Sequence, residues 1–314
     1  MPERPEEGPG KRLILGWNIG GTTSSAIVGS ADGRIVARES WPSEAPRGPA
    51  HMTGEFLRRA RGLLGICTGV SGLGVSIGGP LDTLTGTVHS PPHLPGWDGV
   101  PLADNLGRAL GLPVAVEHDA AACLAAECLW GAARGVTHAA YLTCGTGCGA
   151  GVLIGGRLLR GPAGESPEAG HVRLAPDGPE MFGKRGCVES FCGGEGISRL
   201  APYMFPGRFA RPVAAERLKD LADGGDEPAR RVLDEAARRT GQLCSILADL
   251  FAPQVIVLGS LALYLGEEWQ ETIREEFRRE GLEVNSRRTR IVPSALGERL
   301  QDLSAIAPVI FPGR

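Results

Sequence analysis

Lysine is nearly absent from this 314-residue chain: Lys11, Lys184 and Lys219 are its only lysines, and arginine carries the rest of the positive charge. We read that as compositional bias without functional meaning. Lys and Arg together number 33 against 36 Asp and Glu, for a formal charge of −3. With no basic excess to meet a polyanion, a nucleic-acid partner is disfavoured. No apolar run approaches the ~20 residues of a membrane span, so no membrane partner is expected. Residues 1–10 are rich in Pro and Glu and lack the apolar centre of a signal peptide. There is no CxxC pair among the eight cysteines, and no secretory feature accompanies them. They are therefore expected to be reduced thiols acting as small apolar fillers in a cytoplasmic protein.

What is present is ordinary for a globular chain: 42% hydrophobic and 22% charged residues. Glycine is the exception, with 47 residues, about twice the usual share. The length suggests two domains at about 150 residues each. Residues 1–11 read as a disordered tail. Arg12–Trp17 and Ser25–Val28 are apolar runs around a glycine turn, and Arg34–Glu39 reads as a third strand. A helix is expected over Met52–Leu64, a strand over Gly72–Ile77, a long Gly/Pro-rich loop over 78–99, a helix over Pro101–Leu110 and a strand over Pro113–Val116. Asp119 reads as the N-cap of an Ala-rich helix that stops near Gly135. Strands follow at Thr137–Thr143, Gly149–Ile154 and Arg157–Arg160, then an irregular Gly-rich stretch over 161–193. The remainder reads as helical apart from strands at Gln254–Leu258 and Thr289–Val292. Alternating strands and helices make the class α/β.

An internal repeat supports duplication. The segment from Asn18 is echoed from Thr143, 125 residues later, with Gly20 matching Gly145 and Ile27-Val28 matching Val152-Leu153. Each copy is a glycine turn between two strands. Glycine permits close backbone approach, and successive N–H groups with Thr hydroxyls form an anion-binding concavity. Alone, each turn is as readily a plain hairpin; in duplicate they point to the phosphates of a nucleotide. Glu117-His118-Asp119 lies where a strand delivers side chains to a sheet edge, so Asp119 is either a cap or a general base. Glu168, His171 and Glu189 place two carboxylates and an imidazole in a Gly-rich region, suited to sugar hydroxyls or simply solvated.

In order, these segments resemble the ROK family of repressors and sugar kinases, within the actin/hexokinase-like fold. The first phosphate loop appears as Asn18-Ile19-Gly20-Gly21-Thr22, with Thr23 following. The sugar loops appear as Gly79-Pro80-Leu81-Asp82 and Leu94-Pro95-Gly96-Trp97, and the catalytic segment as Glu117-His118-Asp119. The second phosphate loop is Gly145-Thr146-Gly147-Cys148-Gly149. The Gly-His and Gly-Cys segments are Pro167-Glu168-Ala169-Gly170-His171 and Gly186-Cys187-Val188-Glu189, and the nucleotide-base segment runs Val255–Leu258 into Gly259-Ser260.

The resemblance implies a two-lobed, ribonuclease-H-like duplicated α/β fold with a central cleft. The lobes would be 12–118, completed by a C-terminal helix at about 300–314, and 119–299. It implies ATP with Mg²⁺ as cofactors, and a homodimer. Gly20, Gly21, Thr22, Thr23, Gly145, Thr146, Gly147, Gly259 and Ser260 would hold the nucleotide. Gly79, His118, Asp119, Glu168, His171 and Glu189 would hold the sugar, with Asp119 taking the proton of a hexose 6-hydroxyl. Glucose, kanosamine and N-acetylmannosamine all stay open as acceptors.

Three departures stand out. Asn18 replaces the Asp that helps hold Mg²⁺ through water. His118 replaces an Asn that contacts the sugar. Of the family's structural zinc ligands, His171 and Cys187 remain, Glu180 and Phe182 fall where cysteines would be, and Glu180 or Cys192 would have to substitute. A closed zinc site wants four ligands, so zinc is not expected and His171 would serve the sugar. A ROK repressor would carry a DNA-binding domain before the first loop; 17 residues precede Asn18, so none is expected. A non-catalytic sugar sensor is the alternative that Asn18 and the lost zinc ligands motivate.

Overall fold

Leu13–Ile19 (β1) and Thr23–Ser30 (β2) are buried along almost their whole length, and they pair antiparallel from Leu13↔Ser30 to Ile19↔Ser24. Continuous burial is what their unbroken apolar and small-residue runs require. The computed structural model describes residues 12–92 and 94–313; the tail expected over residues 1–11 lies outside the described residues. Two units divide the chain. The first contains the described residues up to Arg134, Leu158–Ser166 and the chain from Glu298; the second contains Gly135–Arg157 and Pro167–Gly297.

In the first unit, Ile35–Pro42 (β3), Val70–Ile77 (β4) and Val114–His118 (β8) complete a sheet of order β3-β2-β1-β4-β8, with β1, β4 and β8 parallel. Helix α1, Gly48–Ile66, buries Met52, Phe56, Ala60 and Leu63 at helical spacing, and Phe56 stacks on Trp17 with centroids 4.3 Å apart. The expected loop over 78–99 is not wholly irregular. It forms Leu81–Asp82 (β5), which pairs with Thr87–Val88 (β6), and β6 pairs in turn with Val100–Pro101 (β7). The reason is local: the Asp82 carboxylate accepts from the Leu84 and Thr85 amides and folds the turn, a side-chain device that apolar periodicity does not register. Leu102–Leu110 is α2.

The C-terminal helix, Leu300–Ile310, lies against this sheet. A Cβ at Gly74 would come within 2.1 Å of the Ala305 carbonyl oxygen, so only glycine admits the helix there. Asp302 fastens it by accepting from Ser25 Oγ at 3.1 Å and Arg38 Nε at 2.7 Å. The Ala-rich helix α3, Asp119–Trp130, packs on that helix and stays with the first unit, whereas the sequence reading began the second lobe at 119. It stops at Gly131 rather than Gly135, because the Glu127 carboxylate turns back to accept from the Ala132 amide at 2.6 Å.

The second unit repeats the pattern. Ala139–Leu142 (β9), Ala150–Ile154 (β10), Arg157–Leu158 (β11), Val255–Leu258 (β14) and Arg290–Pro293 (β15) form a sheet of order β11-β10-β9-β14-β15. Three antiparallel strands followed by parallel ones reproduce the first sheet, and Ile27-Val28 and Val152-Leu153 occupy equivalent strands β2 and β10. Within the stretch expected to be irregular, Glu180–Met181 (β12) and Lys184–Arg185 (β13) make a hairpin. Helices Glu189–Cys192 (α4), Gly194–Met204 (α5), Ala215–Asp223 (α6), Glu227–Phe251 (α7), Ser260–Leu265 (α8), Glu267–Glu280 (α9) and Glu283–Ser286 (α10) surround the sheet. Asp226 caps α7 by accepting from the Ala229 amide at 2.9 Å. The eight cysteines are free thiols, and apart from Cys128 they are buried. No helix among the described residues is long and apolar enough to cross a membrane.

Candidate active site

Because β1, β4 and β8 are parallel, their C-terminal ends share one edge of the first sheet. Asn18, the Gly20–Thr23 turn, Gly79 and the His118-Asp119 pair all emerge there. In the turn, the Gly20 amide donates to the Thr23 carbonyl at 3.1 Å. A Cβ at Gly20 would lie 2.6 Å from that oxygen, so the glycine is obligatory. Ser43 props the turn from behind: its hydroxyl donates to the Gly20 carbonyl at 2.5 Å and its amide to the Thr22 carbonyl at 2.9 Å. With these carbonyls committed, the exposed residues Gly21, Thr22 and Thr23 offer amides and hydroxyls to an anion. Asn18 pairs across the sheet with Ser25 and Ser76 and is half-buried. Gly79 precedes Pro80 through a cis peptide bond.

Asp119 is the first residue of α3, not its N-cap as the sequence suggested; His118 holds that position in extended backbone. The Asp119 carboxylate accepts from the Ala120 amide at 2.6 Å through Oδ1, and that oxygen lies 3.4 Å from His118 Nδ1. The side chain is 42% exposed, beside a histidine that is only 5% exposed. Asp119 thus has a fixed carboxylate with one oxygen engaged and the other available for a proton. Magnesium takes one or two carboxylates, phosphate oxygens and several waters. Asn18, half-buried at the sheet edge, offers a neutral amide oxygen that suits a contact through such waters.

In the second unit, the Gly145–Gly147 loop follows β9, and Gly259-Ser260 follows the parallel strand β14. The loop is tied back in the same manner as the first. The Gly194 amide donates to the Gly145 carbonyl at 2.8 Å, and the Glu195 amide to the Thr146 carbonyl at 3.0 Å. These two amides open α5, in the part of the chain the sequence reads as helical, but no sequence signal assigns them to the site. Gly259 packs on Thr143, where a Cβ would fall 1.7 Å from the carbonyl oxygen. Ser260 Oγ donates to the Cys144 carbonyl at 3.3 Å and the Leu261 amide to the same oxygen at 2.9 Å. The two predicted nucleotide segments of this unit are therefore neighbours.

Glu168 and His171 are exposed and flank a 3-10 turn, Ala169–His171, closed by the His171 amide on the Glu168 carbonyl at 3.2 Å. Gly170 presses on the second phosphate loop, with a virtual Cβ 2.4 Å from the Cys148 carbonyl and 3.0 Å from Glu189 Oε2. Glu189 lies between them, 7% exposed. Its Oε2 accepts from the Cys148 amide at 3.3 Å, while its buried Oε1 accepts no hydrogen bond among the described residues. Burial pushes its carboxyl above the usual carboxylate range, opposed in part by the Cys148 amide and by His171. A buried oxygen lacking a donor is a seat for a ligand hydroxyl.

The residues present do not fit the family's zinc. Among the described residues, no group of three or more His, Cys, Asp or Glu is gathered as a metal cage. Cys187 is buried, and the His171 ring is stacked on Phe182 with centroids 4.8 Å apart. Phe182 and Gly183, both at positive φ, form the tight turn of the β12–β13 hairpin, and Lys184 Nζ donates to the His171 carbonyl at 2.6 Å.

Comparison with known proteins gives this geometry its context. The ROK family model matches residues 14–300. Similar proteins include a glucokinase of Thermotoga maritima, 31% identical over 85% of this chain and 87% of its own length. An N-acetylmannosamine kinase of Shigella flexneri is 33% identical over 81% of this chain and 84% of its own. The DNA-binding transcriptional repressor Mlc of Escherichia coli is 29% identical over 67% of this chain and 52% of its own. Among solved structures, a ROK hexokinase from Thermus thermophilus superposes with a TM-score of 0.80 at 33% identity, covering 94% of this chain and 97% of that one. A ROK glucokinase from Streptomyces griseus in complex with glucose and AMPPNP also gives 0.80, at 29% identity, over 94% and 98% of the two chains. With duplicated sheets, paired glycine turns and a family match spanning nearly its whole length, this chain belongs to the ROK family and has the actin/hexokinase-like α/β fold.

Proposed function

We propose that the protein is an ATP-dependent sugar kinase that transfers the γ-phosphate to the 6-hydroxyl of a hexose or amino-hexose. The observation that carries this is Asp119, an exposed carboxylate at a sheet edge, held through one oxygen by the Ala120 amide. The free oxygen accepts the hydroxyl proton as the sugar oxygen bonds to phosphorus and the bond to ADP breaks. Gly20–Thr23 and Gly145–Gly147 hold the phosphates; Gly259 and Ser260 border the nucleotide. Glu168, His171 and Glu189 orient the sugar, with Gly79 and His118 near the reacting hydroxyl. Bound Mg²⁺ supplies charge neutralisation on the phosphates, with Asn18 contributing a neutral contact. The glucokinase and N-acetylmannosamine kinase relatives support a sugar acceptor, and the AMPPNP complex of a relative supports ATP. His118 in place of an asparagine is compatible with a specialised acceptor such as kanosamine or N-acetylmannosamine and equally with glucose, so the acceptor panel decides between them. The family resemblance is the support for a cytoplasmic homodimer.

Asn18 favours a second reading, a sugar sensor without turnover. ADP release with Mg-ATP separates the two. The panel is glucose, mannose, fructose, N-acetylmannosamine, N-acetylglucosamine, glucosamine and kanosamine, with Asp119→Ala as blank. Turnover on one sugar that vanishes in the blank is the expected result. Silence across the panel from folded protein that still binds a sugar would overturn the kinase reading in favour of the sensor.

A further inference from the structure

Arg160 belongs to none of the segments that carry the family resemblance. It lies in Leu158–Ser166, a stretch that joins the first unit although the second unit's chain surrounds it in sequence. Its Nη2 donates to the Glu117 carboxylate and its Nη1 to Ser166 Oγ at 2.5 Å. Glu117 is wholly buried and stands two residues before Asp119. Its Oε1 accepts the amide of His118 at 2.8 Å, so the same carboxylate holds the backbone at the strand end and receives the guanidinium. A buried ion pair is seldom the most stabilising choice for a core position, since apolar residues of similar volume serve as well or better. Its retention here points to geometry.

The loop beyond Arg160 is tightly closed. Gly161 donates to the Glu165 carbonyl at 2.9 Å and Gly164 to the Gly161 carbonyl at 3.0 Å. Ala163 donates to Glu165 Oε2 at 2.9 Å, and Thr83 Oγ1 donates to the Gly164 carbonyl at 2.8 Å. Thr83 directly follows the Gly79–Asp82 segment, and two residues after Ser166 the chain reaches Glu168. One rigid loop therefore grips the strand end that carries Asp119, grips the Gly79 segment, and leads into the Glu168 turn.

We infer that Arg160 is a positioning residue: through Glu117 it sets the backbone that aims Asp119, and through its loop, tied to Thr83, it holds the Gly79 segment for the sugar. The inference rests on the kinase reading above for its chemical step. A planar guanidinium can bridge Glu117 and Ser166 at once, which an ammonium on a flexible stem cannot do in the same geometry. Misplacement of a reacting group by about 1 Å costs on the order of 10²-fold in rate.

The test uses Arg160→Lys and the double variant Arg160→Met with Glu117→Gln, which removes both charges of this pair together. Melting temperature, kcat, sugar Kd by calorimetry and AMPPNP Kd are measured on each. The expected result is a folded double variant with unchanged AMPPNP affinity, weaker sugar binding and kcat lowered at least about tenfold. Arg160→Lys should fall between it and the parent. The decisive readout is a cycle with Asp119→Asn: adding Arg160→Met with Glu117→Gln to that variant should lower kcat little further, because the aim of an absent base no longer matters. Additive losses in the cycle, or parental kcat and sugar Kd in the folded double variant, overturn the inference. A parent that binds sugar but turns over none of the panel refutes the kinase reading instead; sugar Kd in the double variant then still decides whether Arg160 holds the Gly79 segment for the sugar.

Discussion

Glu189→Gln should move stability and affinity in opposite directions. In the parent, the carboxylate is 7% exposed, one oxygen takes a single amide at 3.3 Å, and the other takes no hydrogen bond among the described residues. An ionised group so placed opposes folding, and burial accordingly raises its pKa. The sign follows from linkage. A raised folded-state pKa means the folded protein holds the proton more tightly than the unfolded chain. This stabilising contribution is complete below the ordinary value of 4.5 and is lost as pH rises through the raised value. Glutamine is neutral at every pH and keeps an oxygen for the Cys148 amide. Glutamine removes the buried charge but leaves a buried polar group in place of Oε1, so the relief is that of the charge, on the order of 1 kcal/mol, and each kcal/mol is worth roughly 2–4 °C in Tm for a unit of this size. The gain should be small at pH 4 and largest at pH 8. Sugar affinity should fall, because a hydrogen bond to a charged acceptor exceeds one to a neutral amide by about 1 kcal/mol or more, a loss of roughly 5-fold or greater in Kd. Thermal melts from pH 4 to 8 and sugar titration calorimetry read both quantities. A Tm that drops at pH 8, together with parental sugar affinity, would refute the assignment of Glu189 as a strained sugar ligand.

Other substitutions test separate parts of the site. Asp119→Asn retains an oxygen for the Ala120 amide, so melting and sugar Kd should stay near the parent while kcat falls by about 10²-fold or more; near-parental turnover removes Asp119 as base. Asn18→Asp should leave or strengthen Mg²⁺ dependence in a metal titration of ADP release, and a large loss of activity would show that Asn18 is tuned to another partner. Elemental analysis of purified protein should find well under one zinc per chain, and stoichiometric zinc would refute the account of Phe182 stacked on His171.

Much of the fold is legible locally. Apolar runs broken by glycine turns predict the strands of both sheets. The echo of Gly20 in Gly145 predicts that the sheets share one strand order, as β3-β2-β1-β4-β8 and β11-β10-β9-β14-β15 do. The error at Asp119 is of the same local kind: cap and first helical residue differ by one position, and the carboxylate still binds the helix through the next amide. The small sheet inside 78–99 and the hairpin at 180–185 were not legible because each is closed by side-chain hydrogen bonds or a positive-φ pair rather than by an apolar period.

The sequence by itself determined the chemistry of the candidate site and its order along the chain. Turn residues, strand periods and motif spacings are set by neighbours a few positions away, so they survive in one dimension. Tertiary structure alone decided which of these groups are held and by what. Arg160 reaches Glu117 across 43 positions, and the Cys148 amide meets Glu189 across 41. The amides of Gly194 and Glu195 fasten a loop that precedes them by nearly fifty residues. Leu158–Ser166 belongs to the first unit because its loop closes on Glu117 and Thr83, which nothing in its own composition announces. Such contacts depend on how sheets and helices pack, and packing is fixed by complementary burial over the whole chain rather than by any local pattern.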